Sequence, residues 1–113
     1  MFSLGVTGRI INAPSNAVAE IGGQAIFNCT SDITVQSWIF SINREEYEAN
    51  TGQTIVANCV IQTGFTSNYA VDRPGGSNYI CNLIVKATSM QQSGVYTCLD
   101  SGPGPSAILT VIG

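Results

Sequence analysis

The residues with the most definite chemistry in this 113-residue chain are its four cysteines, Cys29, Cys59, Cys81 and Cys98. Cysteines of a small chain that lie far apart in the sequence typically form disulfide bonds in an oxidising compartment. Free thiols in a reducing compartment are the alternative. A zinc site fits the spacing less well, because zinc-binding cysteines usually come in close pairs. The sequence therefore predicts two disulfides and an extracellular chain, either secreted or part of the ectodomain of a membrane protein.

Catalytic chemistry has little support in the composition. The chain contains no histidine, so it cannot form a Ser-His or Cys-His pair. Three of the seven acidic residues, Glu45, Glu46 and Glu48, form one run that is typical of a solvated turn. Gly102 and Gly104 lie between predicted strands rather than before a helix, so they do not match a phosphate-binding loop. We expect a protein that is not an enzyme and has no catalytic residues, bound metal or cofactor.

One short segment is a candidate for covalent modification. Asn28-Cys29-Thr30 is the N-x-[ST] sequence that accepts an N-linked glycan. Alternation with the inward-facing Phe27 and Cys29 places Asn28 on the outward face of its predicted strand. Because the central Cys29 must also oxidise, the sequence leaves the occupancy of Asn28 open.

Period-2 alternation and frequent turn residues dominate the rest of the chain. The pattern predicts a single domain over residues 1–113, excised from a longer secreted or membrane-anchored chain, and small enough to benefit from cross-links. The acidic segment from Arg44 to Glu48 is predicted to be an exposed turn. About nine short strands are predicted, over residues 6–12, 17–20, 24–30, 37–43, 54–62, 69–73, 77–86, 95–100 and 107–112.

The spacing of Cys29, Trp38 and Tyr96-Thr97-Cys98 resembles the framework of the immunoglobulin superfamily, and the length between the two cysteines resembles its V-set domains. The resemblance implies an all-β, two-sheet V-type sandwich of about nine strands with Greek-key connections. It also implies a core disulfide between Cys29 and Cys98 and a corner locked by the Tyr96 hydroxyl. The framework side chains expected in the core are Trp38, Tyr96, Phe27, Leu83 and Val85.

The same resemblance leaves two arrangements of the cysteines to consider. A bridge between Cys59 and Cys81 would link the middle of the domain to the strand before the corner. Some members of the superfamily instead have a bridge within one sheet, which here would join Cys29 to Cys81. The corner ending in Cys98 favours the first arrangement.

The C-terminal segment resembles the joining strand of antigen-receptor V domains. Gly104 and Leu109-Thr110-Val111 match that strand, whereas Pro103 and Ser106 stand where an aromatic residue and a second glycine are expected. The chain is therefore similar to V-J-type domains of antigen-receptor relatives, including those of invertebrate chordates. Because the loop from Leu99 to Gly102 is very short, we do not expect a deep antigen-specific loop.

Charge and hydropathy limit the partners. Only 10% of the residues are charged and the net charge is −3, so no surface for nucleic acid or acidic lipid is expected. No stretch reaches the roughly 18 apolar residues of a membrane span. The resemblance implies immune-type recognition or cell-surface adhesion, with the front sheet pairing with itself or with another V domain. The candidate contact residues, chosen by outward parity on neighbouring strands, are Ile39, Ser41, Thr97 and Leu99.

Two other functions remain open at the level of the sequence. Direct binding of a microbial or carbohydrate ligand would use aromatic side chains near the loops, for which Tyr47, Phe65 and Tyr69 are candidates. A structural spacer or adhesion domain would need neither an apolar pairing face nor exposed aromatic rings.

Overall fold

The computed structural model describes residues 9–35, 37–102 and 104–113. Within these residues the chain forms eleven strands, one helix and two 3₁₀ turns at Pro74–Gly76 and Met90–Gln92. The strands are β1 (Ile10–Asn12), β2 (Ala17–Glu20), β3 (Gln24–Phe27), β4 (Thr30–Ser31), β5 (Ser37–Ser41), β6 (Gln53–Ala57), β7 (Val60–Ile61), β8 (Tyr69–Asp72), β9 (Asn82–Lys86), β10 (Gly94–Leu99) and β11 (Ser106–Ile112), and the helix is α1 (Arg44–Ala49).

The prediction of an all-β two-sheet sandwich is confirmed. The number of strands exceeds the predicted nine because breaks divide two predicted strands, 24–30 into β3 and β4, and 54–62 into β6 and β7. The predicted start of the first strand, at residues 6–8, lies outside the described residues.

Two main sheets face each other across the core. The front sheet has the strand order β2-β11-β10-β5-β6-β7, and the back sheet has the order β3-β9-β8. β11 pairs antiparallel with β10 and parallel with β2, so an N-terminal strand forms one edge of the front sheet. β1 and β4 form a separate pair. The front sheet therefore combines segments from the start, the middle and the end of the chain.

Large side chains fill the space between the sheets. The fully buried framework residues are Phe27, Trp38, Leu83, Val85 and Tyr96. The ring of Phe27 stacks on that of Tyr96, with centroids 5.3 Å apart. The indole Nε1 of Trp38 donates a hydrogen bond of 2.9 Å to the carbonyl oxygen of Cys81. Because its single polar hydrogen has a partner, the indole is buried without the cost of an unsatisfied donor.

Two disulfide bonds cross-link the domain. Cys29, just after β3, is bonded to Cys98 in β10 with Cα atoms 6.5 Å apart, and this bond joins the back sheet to the front sheet. Cys59 is bonded to Cys81, with Cα atoms 5.9 Å apart. The alternative bridge from Cys29 to Cys81 is therefore not formed. Instead, the Cys81 amide donates to the Cys29 carbonyl at 3.0 Å, so both bridges and Trp38 form one cluster.

The second bridge holds a tight hairpin in place. Asn58 and Cys59 have φ angles of 52° and 58°, and Ala57 pairs with Val60 across them. A two-residue turn in which both φ angles are positive matches the twist of the strands, but the Cβ atom of a cysteine disfavours that conformation. The bond to Cys81 therefore stabilises a turn that the local sequence does not favour by itself.

Hydroxyl and amide groups lock the corner before β10. The Tyr96 hydroxyl donates to the Gln92 carbonyl at 2.8 Å. The Tyr69 hydroxyl lies 3.0 Å from that of Tyr96, and it must be the donor because the Tyr96 proton is already used. The side-chain oxygen of the buried Gln92 accepts from the amides of Thr88 and Ser89. The corner is thus closed by neutral hydrogen bonds.

The clearest departure from the sequence prediction is α1, which lies where an exposed turn is expected. Asn43 Oδ1 accepts from the Glu46 amide at 2.8 Å, and the Glu46 carboxylate accepts from the Ile42 amide at 3.0 Å. Asn50 ends the helix with a φ of 61°. These caps satisfy both helix ends. Because β5 ends at Ser41, Ile42 is exposed, whereas alternation predicts that it points inward.

Removal of the second bridge should weaken the fold without abolishing it. The separation of 22 residues between Cys59 and Cys81 corresponds to a loss of about 3 kcal/mol of unfolding free energy in the C59A/C81A variant. Equilibrium urea denaturation measures this loss. Val60→Ala, at an exposed neighbouring position, is the control and should change the unfolding free energy by less than about 0.5 kcal/mol. An unchanged midpoint in C59A/C81A would contradict a stabilising role.

The buried pair of Tyr69 and Tyr96 should make the domain less stable at alkaline pH. Burial raises the pKa of Tyr96, and the neighbouring Tyr69 adds to the effect. Burial also raises the pKa of Tyr69, although its hydrogen bonds oppose the change. Unfolded tyrosines ionise first, so the free energy of unfolding should fall as the pH rises above about 10. Tyr69→Phe should make this fall shallower. Chemical denaturation of the wild type and the variant at a series of pH values measures the slope of the unfolding free energy against pH. An identical slope in the two proteins would contradict a role of the tyrosine pair.

Candidate recognition face

The outward side of β5, β10 and β11 carries the candidate site that strand parity indicates. The strand register arranges its side chains in three rows, which are Ser41, Val95 and Ile108, then Ile39, Thr97 and Ser106, then Ser37 and Leu99. We refer to these eight residues as the front face. No charged side chain occurs among them, although charged groups lie nearby on α1.

The four predicted contact residues differ in exposure. Ile39 and Leu99 are half-buried, whereas Ser41 is only 2% exposed and Thr97 only 8%. Thr97 Oγ1 lies 2.7 Å from Ser106 Oγ, so the two hydroxyls satisfy each other. Outward parity predicts that all four residues face solvent, and for Ser41 and Thr97 the structure differs. They lie on the outward side of the sheet, but other parts of the chain cover them.

Ser41 is covered by the segment that leads from α1 into β6. A Cβ atom on Gly52 would lie 2.5 Å from Ser41 Oγ and 2.7 Å from the Phe40 carbonyl oxygen. Only glycine allows the backbone to approach β5 so closely. Strand parity places Ser41 correctly on the outward side, but it cannot predict that this later segment lies over it.

Helix α1 lies beside the front face, and Tyr47 borders three hollows there, the smallest of about 50 Å³ over Ile39 and Leu99. The first of the two larger hollows, of about 210 Å³, is lined by Asn16, Arg44, Tyr47, Val95, Ser106 and Ile108. The second, of about 320 Å³, is lined by Tyr47, Glu48, Asn50, Thr97, Leu99 and Gly104. The surface offered to a partner is thus a ridge at Tyr47 with a hollow on each side.

Apolar side chains continue from the front face towards the β2 edge. Ile108 and Ile112 on β11 are 42% and 41% exposed, and Val18 on β2 is 66% exposed. Val18 pairs with Thr110, which lies between the two isoleucines. Sequence reasoning did not single out these residues. Alternation along the C-terminal strand indicates their outward direction, but their continuity with the front face depends on the pairing of β11 with β2.

A buried carboxylate holds the loop at the other end of the front face. Asp100 Oδ2 accepts from Ser31 Oγ at 3.0 Å, and Asp100 Oδ1 accepts from the Gly102 amide at 3.3 Å. The Ile33 amide donates to Ser31 Oγ at 3.1 Å. The short loop after β10 is thereby tied to the end of β4. Asp100 and Ser31 are 69 residues apart in sequence, so no local pattern indicates their contact.

The residues considered for other ligands do not form a common site. Phe65 packs on the buried Tyr69, with ring centroids 6.2 Å apart, so these two rings do not form an exposed aromatic surface. Tyr47 is exposed and lies at the front face. Asn28 is exposed on the back sheet side, outside the front face.

The part of the chain that the structure describes provides neither a metal-binding cluster nor a membrane-spanning helix. There, no group of three or more His, Cys, Asp or Glu residues is arranged to hold a metal ion. None of the helices in these ranges is long and apolar enough to cross a bilayer.

Several solved structures resemble this chain in their fold. A chain of the RIG-5 IG1 homodimer matches with a TM-score of 0.74 and 16% identity, over 96% of this chain and 100% of that chain. The chain has an immunoglobulin fold. A chain of the complex of Dpr1 IG1 bound to DIP-eta IG1 matches this immunoglobulin domain with a TM-score of 0.70 and 13% identity, over 97% of this chain and 100% of that one. Domain I10 of titin matches with a TM-score of 0.59 and 21% identity, over 93% and 98%. No family model and no curated protein sequence matches the domain.

The position of α1 beside the front face should depend on its N-terminal cap. Asn43→Ala removes the acceptor of the Glu46 amide hydrogen bond, so we expect a loss of about 1 kcal/mol in the unfolding free energy. Hydrogen exchange of the Glu46 and Tyr47 amides should become faster. Asn43→Ser keeps a capping oxygen and is the matched control. If Asn43→Ala leaves amide protection unchanged, packing of Tyr47 alone holds the helix.

Proposed function

We propose that this immunoglobulin domain is a non-catalytic, extracellular recognition module that pairs through its front face with a second copy of itself. The observation that carries the proposal is the front face, where eight outward positions on three neighbouring strands lack a charged side chain. The buried centres of protein interfaces are depleted of charge in the same way. The two disulfides support an extracellular location, because such bonds persist in oxidising compartments.

We further assign the domain to the V type. Variable-type domains carry two strands in the front sheet beyond those of the constant type. β6 and β7 extend the front sheet beyond β5 in this position, which supports the assignment. The relation to V-J-type antigen-receptor domains is supported by β11 and by Gly104. A Cβ atom at Gly104 would overlap the carbonyl oxygen of Cys98, so glycine is required there.

The charges beside the front face favour a second copy as the partner. Arg44 lines the hollow next to Ile108, and Glu48 lines the hollow next to Leu99. Both side chains are largely exposed, and they form a 3.7 Å ion pair along α1. If two copies pack with their α1 helices antiparallel about a two-fold axis, Arg44 of each copy comes towards Glu48 of the other. Such a surface is self-complementary, as an isologous dimer requires.

The solved neighbours are consistent with a protein partner. RIG-5 IG1 is a homodimer, and Dpr1 IG1 is bound to another IG1 domain, that of DIP-eta. A carbohydrate ligand is less favoured, because the buried Tyr69 and its neighbour Phe65 do not contribute to an exposed aromatic surface. A pure spacer domain would not need an uncharged front face.

Sedimentation velocity over a concentration series tests the pairing. We expect the wild type to pass from monomer to dimer between about 1 and 500 µM, a range typical of weak protein contacts. Ile108→Glu and Leu99→Glu each place a charge within the contact, one in each of the two larger hollows beside Tyr47, and should raise the dissociation constant at least tenfold, which is about 1.4 kcal/mol. Ile26→Glu is the matched control, since Ile26 is 52% exposed on the back sheet.

Two results would overturn the proposal. A wild type that stays monomeric at the highest concentration excludes pairing with a second copy. In the second case, Ile108→Glu and Leu99→Glu leave the dimer intact, whereas Ile26→Glu weakens it. That result would place the contact on the back sheet.

A further inference from the structure

Asn28 is the one asparagine of the sequence that begins an N-x-[ST] segment, and its side chain forms no hydrogen bond to the other described residues. Five other asparagine side chains hold the backbone or a neighbour by hydrogen bonds, namely Asn16, Asn43, Asn68, Asn78 and Asn82. Asn28 is exposed, and among the described residues its amide group has no hydrogen-bond partner. A group attached to its nitrogen would therefore break no native contact.

The surroundings of Asn28 lie on the outward side of the back sheet. Burial alternates from Ala25 to Cys29, so Asn28 points the same way as Ile26, away from the core. Ile26 is 52% exposed and pairs with Ile84, which pairs in turn with Ala70. An apolar row therefore crosses the back sheet next to Asn28. This row lies on the opposite side of the sandwich from the front face.

We infer that Asn28 carries an N-linked glycan that lies over the apolar row of the back sheet and leaves the front face free. In this step, Asn28 Nδ2 forms a bond to the anomeric carbon of an oligosaccharide held on a lipid pyrophosphate. The bond from that carbon to the pyrophosphate oxygen breaks, and the lipid pyrophosphate leaves with the electron pair. The amide proton passes to a base of the transferase. Thr30 supplies the hydroxyl of the acceptor sequence.

The central Cys29 does not prevent this reaction, because synthesis separates the two events in time. Its native partner Cys98 lies 69 residues further along the chain. At a synthesis rate of about 5–20 residues per second, Cys98 follows after about 3–14 s. During this interval the acceptor sequence has been made, while the core bridge cannot yet form. Asn28 is thus open to modification before the strand folds.

Expression behind a secretion leader in eukaryotic cells tests the inference. Treatment with peptide-N-glycosidase should remove a glycan mass from the wild type and convert Asn28 to aspartate, as read by tandem mass spectrometry. Asn28→Gln and Thr30→Ala should lack the glycan. Thr30→Ser keeps the acceptor sequence and should remain glycosylated, so it separates loss of the sequence from damage at Thr30. Because the Asn28 side chain has no hydrogen-bond partner among the described residues, Asn28→Gln should unfold at the same temperature as the enzymatically deglycosylated wild type.

The strength of dimerisation tests where the glycan lies. The glycosylated wild type and Asn28→Gln should dimerise with dissociation constants within about threefold of each other, a difference below 1 kcal/mol. Dimerisation weakened more than tenfold by the glycan would overturn its placement away from the front face. A secreted wild type with both disulfides formed and Asn28 unmodified overturns the inference itself. A chain that is glycosylated at Asn28 but monomeric contradicts only the pairing proposed above.

Discussion

The indole of Trp38 lies between the two sheets and donates its one polar hydrogen to the carbonyl of Cys81, while the amide of Cys81 donates to the carbonyl of Cys29. Cys29 is in turn bonded to Cys98 in the front sheet. This cluster fixes how the two sheets meet. The 69-residue separation of the bridge is worth about 4 kcal/mol through the unfolded state. That is a large share of the 5–15 kcal/mol by which a typical domain is stable. Once Trp38 and Cys98 point inward, their neighbours on β5 and β10 must point outward.

A different part of the chain shapes the surface above these outward side chains. A bare sheet would offer a nearly flat, uncharged surface. Helix α1 converts that surface into a ridge at Tyr47 with a hollow on each side, and Gly52 lets the next segment close over Ser41. Two of the eight front-face residues, Ser41 and Thr97, are buried before any partner binds. What remains accessible is less polar towards β11 and more polar towards the loop held by Asp100.

The two sides of the sandwich differ in their chemistry. The front face combines uncharged rows with the Arg44–Glu48 ion pair on α1, which suits reversible pairing. The back sheet presents the row of Ile26 and Ile84 beside Asn28, whose side chain forms no hydrogen bond to the described residues. An apolar row left uncovered on one face would compete with the front face as a contact surface. A glycan beside that row would direct association to the other side of the domain.

Much of this architecture follows from the sequence alone. The alternation of apolar residues determines the strands, and the spacing of Cys29, Trp38 and Cys98 indicates which side chains meet in the core. These features are readable because inward and outward directions repeat every second residue along a strand. The same rule places Ile39, Ser41, Thr97 and Leu99 on one side of the front sheet. It carries no information about what lies above that side.

Only the tertiary structure decided which of those residues reach solvent. The burial of Ser41 depends on the path of Gly52, and the shape of the recognition face depends on where α1 comes to rest. Likewise, the loop after β10 is held through Asp100 by Ser31, which is 69 residues away. Contacts of this kind arise from chain segments that meet in space without a shared local pattern. The sequence therefore determined the sandwich and the direction of its side chains, whereas long-range packing determined which surface is left for a partner.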